Sequence, residues 1–260
     1  MKYPDDFINK IICGDCLEVM KEMPDESIDM VLTSPPYDDL RDYKGYTFNF
    51  EGIAKELNRI IKQGGVIVWV VKDSVKDGKT LTSFKQALHF QAIGLNCHDI
   101  IIWEKDAFSF PDKTRYRDVF EYVFIFAKGK PKIINIIKDR KNKWVGSIVH
   151  GTSRGKDGET FKKSNHNRTN VKEYGARYNI WQIPSEKNNL YNHPAPFPLK
   201  LANDCINSWS NKGAIVLDCM MGSGTTCISA KQSNRKYIGI DISQEYCDIA
   251  NERLRQEILL

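Results

Sequence analysis

The sequence predicts an α/β fold: a parallel sheet with helices on both faces, carrying one loop-rich insertion. Three observations predict it. Short β-branched apolar runs alternate with segments of helical period in both terminal thirds of the chain. That periodicity fades between about 130 and 190, where Gly, Asn, Ser, Lys and Arg dominate. The length of 260 residues, with 41% hydrophobic and 27% charged side chains, suits one large globular domain. The same composition excludes a disordered chain, and 17 Gly and 10 Pro without a period exclude a collagen-like one. No apolar run approaches the roughly 18 residues that span a bilayer. Residues 1–6 are polar and acidic, unlike a signal peptide, so the expectation is a cytoplasmic protein with no membrane partner.

Each element follows from its residues. Residues 10–13 (Lys-Ile-Ile-Cys) read as a short buried strand, and Gly14-Asp15 turns the chain into a helix over 16–22. Pro24-Asp25-Glu26-Ser27 breaks that helix, and Ile28 to Leu32 is a second strand. It stops at Thr33-Ser34-Pro35-Pro36-Tyr37, because two consecutive prolines cannot continue a central strand. Ile53, Leu57, Ile60 and Ile61 share one face of a helix over 51–61, which Gln63-Gly64-Gly65 ends. Val66 to Val71 is continuous and β-branched, as in a strand buried on both faces. A helix is expected over 80–90, and strands over 99–103 and 119–127. After the insertion come a helix (198–209), a strand (214–217), a helix (224–233), a strand (236–240) and a last helix (244–257). Residues 1–129 and 191–260 are thus expected to be two halves of one domain, with 130–190 inserted between them.

Seven cysteines, several of them in apolar stretches, suit reduced buried thiols better than a disulfide framework. Cys13 and Cys16 form a C-x-x-C without a second pair or a histidine partner, so no metal site is expected. The net charge of +5 conceals an asymmetry. From Lys105 to Lys187 there are 19 Lys and Arg against 9 Asp and Glu; elsewhere there are 19 against 24. A basic segment in an otherwise acidic chain fits a polyanion contact or a solvated surface, and composition alone leaves both open.

Two constellations carry chemistry. In the first, the strand Val216-Leu217 meets Asp218, and Cys219, Met220, Met221, Gly222, Ser223, Gly224 and Thr225 then turn into a helix; Asp241 ends the next strand. Strand, acid, G-x-G, helix, strand and acid in this order describe a nucleotide-type site at strand carboxyl ends. Asp241 is placed to accept hydrogen bonds from a ribose diol. The third glycine of a dinucleotide-binding motif is replaced by Cys227. A carboxylate at 218 would repel a pyrophosphate but suits a cation, which favours S-adenosylmethionine over a nicotinamide cofactor. Either aspartate alone would pass for an ordinary strand-end carboxylate.

The second is Thr33-Ser34-Pro35-Pro36-Tyr37. It resembles the [D/N/S]-P-P-[Y/F/W] motif of the S-adenosylmethionine-dependent methyltransferases that modify exocyclic amines. The amine of cytosine or adenine is a poor nucleophile because its lone pair is conjugated with the ring. Ser34 and the carbonyl of Pro35 can accept its two hydrogens and turn the lone pair outward, Pro36 rigidifies the backbone, and Tyr37 offers a ring on which a flipped base stacks.

The order of motifs, catalytic first and cofactor last with the basic insertion between them, is similar to the permuted β group of DNA amino-methyltransferases. The resemblance spans nearly the whole chain. It implies a Rossmann-like S-adenosylmethionine-dependent methyltransferase sheet, with 130–190 as an inserted target-recognition region. It adds Asp15, Cys16, Thr33 and Phe197 to the cofactor contacts. It implies double-stranded DNA as substrate, and leaves a cognate restriction endonuclease and a homodimer open. Arg115, Arg117, Arg154, Lys156, Lys162, Lys163, Arg168 and Arg177 are the candidate DNA contacts. Serine in the motif usually accompanies N4-cytosine methylation in this group and aspartate N6-adenine, so cytosine is expected and adenine is the alternative. Methylation at cytosine C5 needs a Cys nucleophile, usually in a Pro-Cys pair, and no proline here precedes a cysteine. A non-catalytic DNA-binding protein would leave both motifs unexplained.

Overall fold

The computed structural model describes residues 1–36, 48–75, 77–106, 113–148, 152–162, 170–186 and 198–256. In chain order the elements are β1 (Lys10–Cys13), α1 (Cys16–Lys21), β2 (Ile28–Thr33), α2 (Phe50–Ile60), β3 (Ile61–Val71), α3 (Thr82–Ala92), β4 (Asn96–Glu104) and β5 (Phe120–Ala127). Four short strands follow, β6 (Arg140–Lys141), β7 (Thr152–Arg154), β8 (Thr160–Lys162) and β9 (Tyr174–Gly175). Then come β10 (Ile180–Gln182), α4 (Leu199–Trp209), β11 (Ile215–Asp218), α5 (Thr225–Gln232), β12 (Lys236–Asp241) and α6 (Gln244–Gln256).

Eight strands form one sheet in the order β1-β12-β11-β2-β3-β5-β4-β10. The expected all-parallel sheet is corrected in one place: β5 runs antiparallel to both β3 and β4. No helix lies between β4 and β5 among the described residues, whereas a parallel pair requires a crossover, usually helical. The second difference is that β3 starts at Ile61, directly after α2, and runs through both glycines that the sequence assigns to a stop. Gly64 tolerates this with a φ of 80°, and its N–H donates to the carbonyl of Lys128 at 2.7 Å.

The core forms where expected. The α2 face of Ile53, Ala54, Leu57 and Ile60 is buried, and Asn49 caps the helix by accepting from Gly52 N–H at 3.0 Å. Arg59 locks α2 to the α1 region. It pairs with Glu56 (2.7 Å) and Asp25 (2.6 Å) and donates to the carbonyls of Met20 and Met23. The indole of Trp69 in β3 is fully buried and donates to Gln86 of α3 at 2.8 Å.

The chain divides into two compact units. Residues Met1–Asn135 and Asn179–Leu260 form the larger one, and Ile136–Tyr178 the smaller. The smaller unit is narrower than the expected insertion, because β10 joins the main sheet beside β4 and Trp103 fixes it by donating to the carbonyl of Ile183 at 2.8 Å. Within the smaller unit β6 pairs with β9 and β7 with β8, both antiparallel.

Candidate active site

β12, β11, β2 and β3 lie side by side and parallel, so their carboxyl ends share one edge of the sheet. β1, parallel to β12, brings Asp15 to the same edge. Sequence-distant motifs therefore converge through strand register: Leu217 faces Val31, and Cys13 faces Asp241. Open α/β sheets bind ligands at this edge.

The turn after β11 is built tightly. Gly222 and Gly224 have φ of 51° and 82°, which side chains rarely adopt. Met221 N–H bonds to the carbonyl of Ile240, Gly224 N–H to that of Met221, and residues 221–226 are all buried. A Cβ on Gly224 would stand 2.7 Å from the Cβ of Ala250. Gly224→Ala is therefore expected to destabilise the protein by about 2–4 kcal/mol, from left-handed strain and overpacking together. Urea unfolding checks this, and a loss below about 0.5 kcal/mol would contradict it.

The two aspartates divide their tasks in a way that the sequence does not reveal. Asp241 is half-buried. Its Oδ2 accepts from Gly222 N–H and its Oδ1 from Ser243 N–H, both at 2.9 Å, so the carboxylate is rigid and each oxygen keeps a further lone pair. Burial raises its pKa above the ordinary carboxylate value. Asp218, expected to face a cationic ligand, is instead 1% exposed. Its Oδ1 accepts from the Thr33 hydroxyl (2.7 Å) and Met220 N–H (3.2 Å), and its Oδ2 from the Thr226 hydroxyl (2.6 Å). Desolvation pushes its pKa up to about 6 despite these donors. Thr33 is likewise fully buried, which corrects its expected exposure to a ligand.

Asp15 caps α1, accepting from Leu17 N–H at 2.8 Å, and stays half-buried at the edge. Cys16 is buried, 6% exposed, so it backs the turn rather than lining the edge. Met220 is half-buried. Ser34 and Pro36 are half-buried and Pro35 is buried. Tyr37 and Phe197 lie outside the described residues.

Two contributors escape the sequence argument. Arg253 of α6 reaches back to the turn and donates to the Ser223 carbonyl (2.6 Å) and hydroxyl (3.0 Å). Its signal is its spacing from Ala250, three residues earlier on the helix face that packs beside Gly224. Thr226, in the first turn of α5, also lies 3.3 Å from the Leu32 carbonyl.

Of the basic candidates, Arg115 and Arg117 are exposed on the larger unit, and Arg154 and Lys156 on the smaller. Lys162 lies in β8, while Lys163 and Arg168 lie outside the described residues. Arg177 is paired within the unit, its guanidinium holding both oxygens of Asp139. In the same unit Arg140 stacks over Tyr178 at 4.7 Å, and Trp144 is 74% exposed.

The edge can hold a ligand that carries a diol against Asp241, place it beside the turn, and present a second reactant to Ser34. Known proteins match the chain along most of its length. A family model of N6/N4 methyltransferases, described as DNA methylase, matches residues 28–252. The chain is 56% identical over 251 residues to the orphan methyltransferase M.BamHII of Bacillus amyloliquefaciens, covering 93% of this chain and 94% of that protein. Among solved structures it resembles the cytosine-N4-specific PvuII DNA methyltransferase, at 22% identity with a TM-score of 0.68, covering 94% of this chain and 85% of that one. It also resembles M1.HpyAVI in complex with S-adenosylmethionine, at 24% identity with a TM-score of 0.63, covering 94% and 99%.

Proposed function

The chain belongs to the N6/N4 methyltransferase family of DNA methylases, and on that premise we propose that it methylates the N4 amine of a cytosine turned out of double-stranded DNA. The methyl donor is S-adenosylmethionine, which supplies an electrophilic methyl carbon on a sulfonium. The residues present suit this cofactor. Asp241 keeps lone pairs for a ribose diol, Asp15 stands at the neighbouring strand end, and Gly222 N–H ties the turn to Asp241. No described helix is long and apolar enough to cross a membrane.

The observation that carries the assignment is that the Ser34-Pro35-Pro36 loop and the Gly222–Gly224 turn leave adjacent parallel strands at one sheet edge. Ser34 Oγ and the Pro35 carbonyl accept the two amine hydrogens, withdraw the lone pair from the ring, and aim it at the methyl group. As the N–C bond forms the methyl–sulfur bond would break, its electron pair staying on the sulfur of the departing thioether, and the nitrogen, cationic after attack, would then lose one proton to solvent. Most of the acceleration comes from holding the two reactants in line, since a well-oriented displacement needs little further chemistry. Serine rather than aspartate at position 34 favours cytosine, and adenine N6 is the alternative that the family admits.

Residues 136–178 form the proposed target-recognition unit, with Arg154 and Lys156 as phosphate contacts alongside Arg115 and Arg117. DNA affinity is accordingly expected to fall at least tenfold between about 50 and 200 mM salt, as measured by fluorescence anisotropy; a flat response would remove the electrostatic assignment. The relative from Bacillus amyloliquefaciens is called an orphan, so a cognate nuclease forms no part of the proposal.

The deciding experiment incubates the protein with mixed-sequence DNA and S-adenosylmethionine, digests the DNA to nucleosides, and identifies the product by mass spectrometry. N4-methylcytosine is expected. N6-methyladenine would overturn the base assignment and leave the family intact.

A further inference from the structure

Asp218 poses a physical problem. A carboxylate at the ligand edge of the sheet is almost completely shielded from solvent, and no ion pair reaches it among the described residues. Burying a charge this way is costly unless hydrogen bonds replace the lost water. Three donors replace it, and their origins are informative. Thr33 is the residue immediately before the Ser34 loop, and Met220 N–H belongs to the turn after β11. Thr226 belongs to the helix that follows that turn, and its hydroxyl also touches the Leu32 carbonyl of β2. Cys219 Sγ sits 3.9 Å from Thr33 Oγ1 and packs the same junction. One carboxylate therefore joins the base of the Ser34 loop, the base of the glycine turn and the first turn of α5.

We infer that Thr33, Asp218 and Thr226 form a positioning bridge that fixes the separation of the amine-accepting loop and the methyl-donor turn, with Asp218 acting through the two threonines and not on the cofactor. The inference rests on the methyltransferase function proposed above. Sheet register fixes the two strands only up to Leu217 and Val31. Beyond those residues each strand is held by its outer neighbour, Thr33 by Trp69 of β3 and Asp218 by Gly239 of β12, and the bridge is the direct tie between the two. Displacing a reacting group by about 1 Å costs on the order of 10²-fold in rate, so a tie at this place has kinetic leverage. None of the three side chains needs to touch either reactant.

Thr33→Val removes the donor and keeps the branched shape. The expected result is a fall in the single-turnover methylation rate of about 10²-fold, with the S-adenosylmethionine Kd, read by calorimetry, within about threefold of the wild type. Thr33→Ser restores the hydroxyl and should recover the rate to within about fivefold. Thr226→Val should repeat the pattern of Thr33→Val, because it cuts the same bridge from the other side. A Kd that weakens in step with the rate would overturn the inference, as would an unchanged rate or a serine variant as slow as valine. If the valine variants do not fold, Thr33→Cys supplies a weaker donor. It should fall between serine and wild type on one side and full loss on the other, and a rate equal to the serine variant would again overturn the bridge. Wild-type product analysis in the same assay separates the two levels. No methylated base from the wild type defeats the function itself, whereas methylation unaffected in every variant defeats only the bridge.

Discussion

Ser34→Ala is expected to slow methyl transfer by about 10²–10³-fold and to leave S-adenosylmethionine affinity within about twofold. The hydroxyl belongs to a half-buried residue directly after the fully buried Thr33 and directly before the buried Pro35, so its backbone is held on both sides. It is asked to accept a hydrogen whose positive charge grows as the amine attacks. An acceptor aimed at developing charge contributes chiefly in the transition state, and removing one such group typically costs this much in turnover. The cofactor loses no contact, because Asp241 and the turn after β11 are untouched. Single-turnover methylation and calorimetry in parallel check the split. A Kd that weakens tenfold, or a rate within threefold of wild type, would remove Ser34 from the role of amine acceptor.

Asp241→Ala should produce the opposite split, with S-adenosylmethionine Kd raised about 10²-fold. Two charge-assisted hydrogen bonds to the ribose would go, at roughly 1.5–3 kcal/mol each before compensation by water. The support that the carboxylate gives to Gly222 N–H and Ser243 N–H would go as well. At saturating cofactor the methylation rate should recover most of its value, since the contact proposed for the aspartate is with the donor and not with the amine. The raised pKa of Asp241 adds a pH signature. A carboxyl with an elevated pKa takes up its proton at a higher pH than an exposed one. Cofactor affinity should therefore begin to decline on acidification earlier than an ordinary aspartate would dictate, and the decline should vanish in the alanine variant. Calorimetry across the acidic range tests both statements, and an unchanged Kd in the variant would sink the assignment.

Much of this architecture is legible in the sequence because local pattern determines it. The start of α1 after Gly14-Asp15 and the apolar stripe of α2 appear within a residue of their expected places, and Val66 to Val71 is strand as expected, although that strand begins five residues earlier at Ile61. Strand direction is different. Nothing in Phe120–Ala127 itself says that it runs against its neighbours; the signal is that no helix precedes it among the described residues, which is a property of the connection. The three residues of β10 are too few to show a period, so they merge with the irregular stretch before them. At the site, the motif residues converge as their order implies, since strand ends in a parallel sheet must. What Asp218 does there is illegible for a clear reason. Its burial depends on Thr33, 185 positions away, and on Thr226, and no single-sequence pattern reports which hydroxyls will close over a carboxylate.

The sheet edge that carries Asp15, Ser34 and Asp241 is assembled from strands far apart in the chain. β1 pairs with β12, and Asn9 meets Tyr237 across 228 positions of chain. During synthesis, the first strand leaves the ribosome long before the strand that completes it. β2 waits in the same way for β11, its neighbour on the cofactor side. Contacts this remote close late and slowly, because the loop entropy must be overcome before the pairing rewards it. The nascent chain therefore displays the Ser34 loop without a methyl-donor turn beside it. Competence arrives only when the last strand docks, and an interrupted product of translation would be catalytically silent however well its first half had folded.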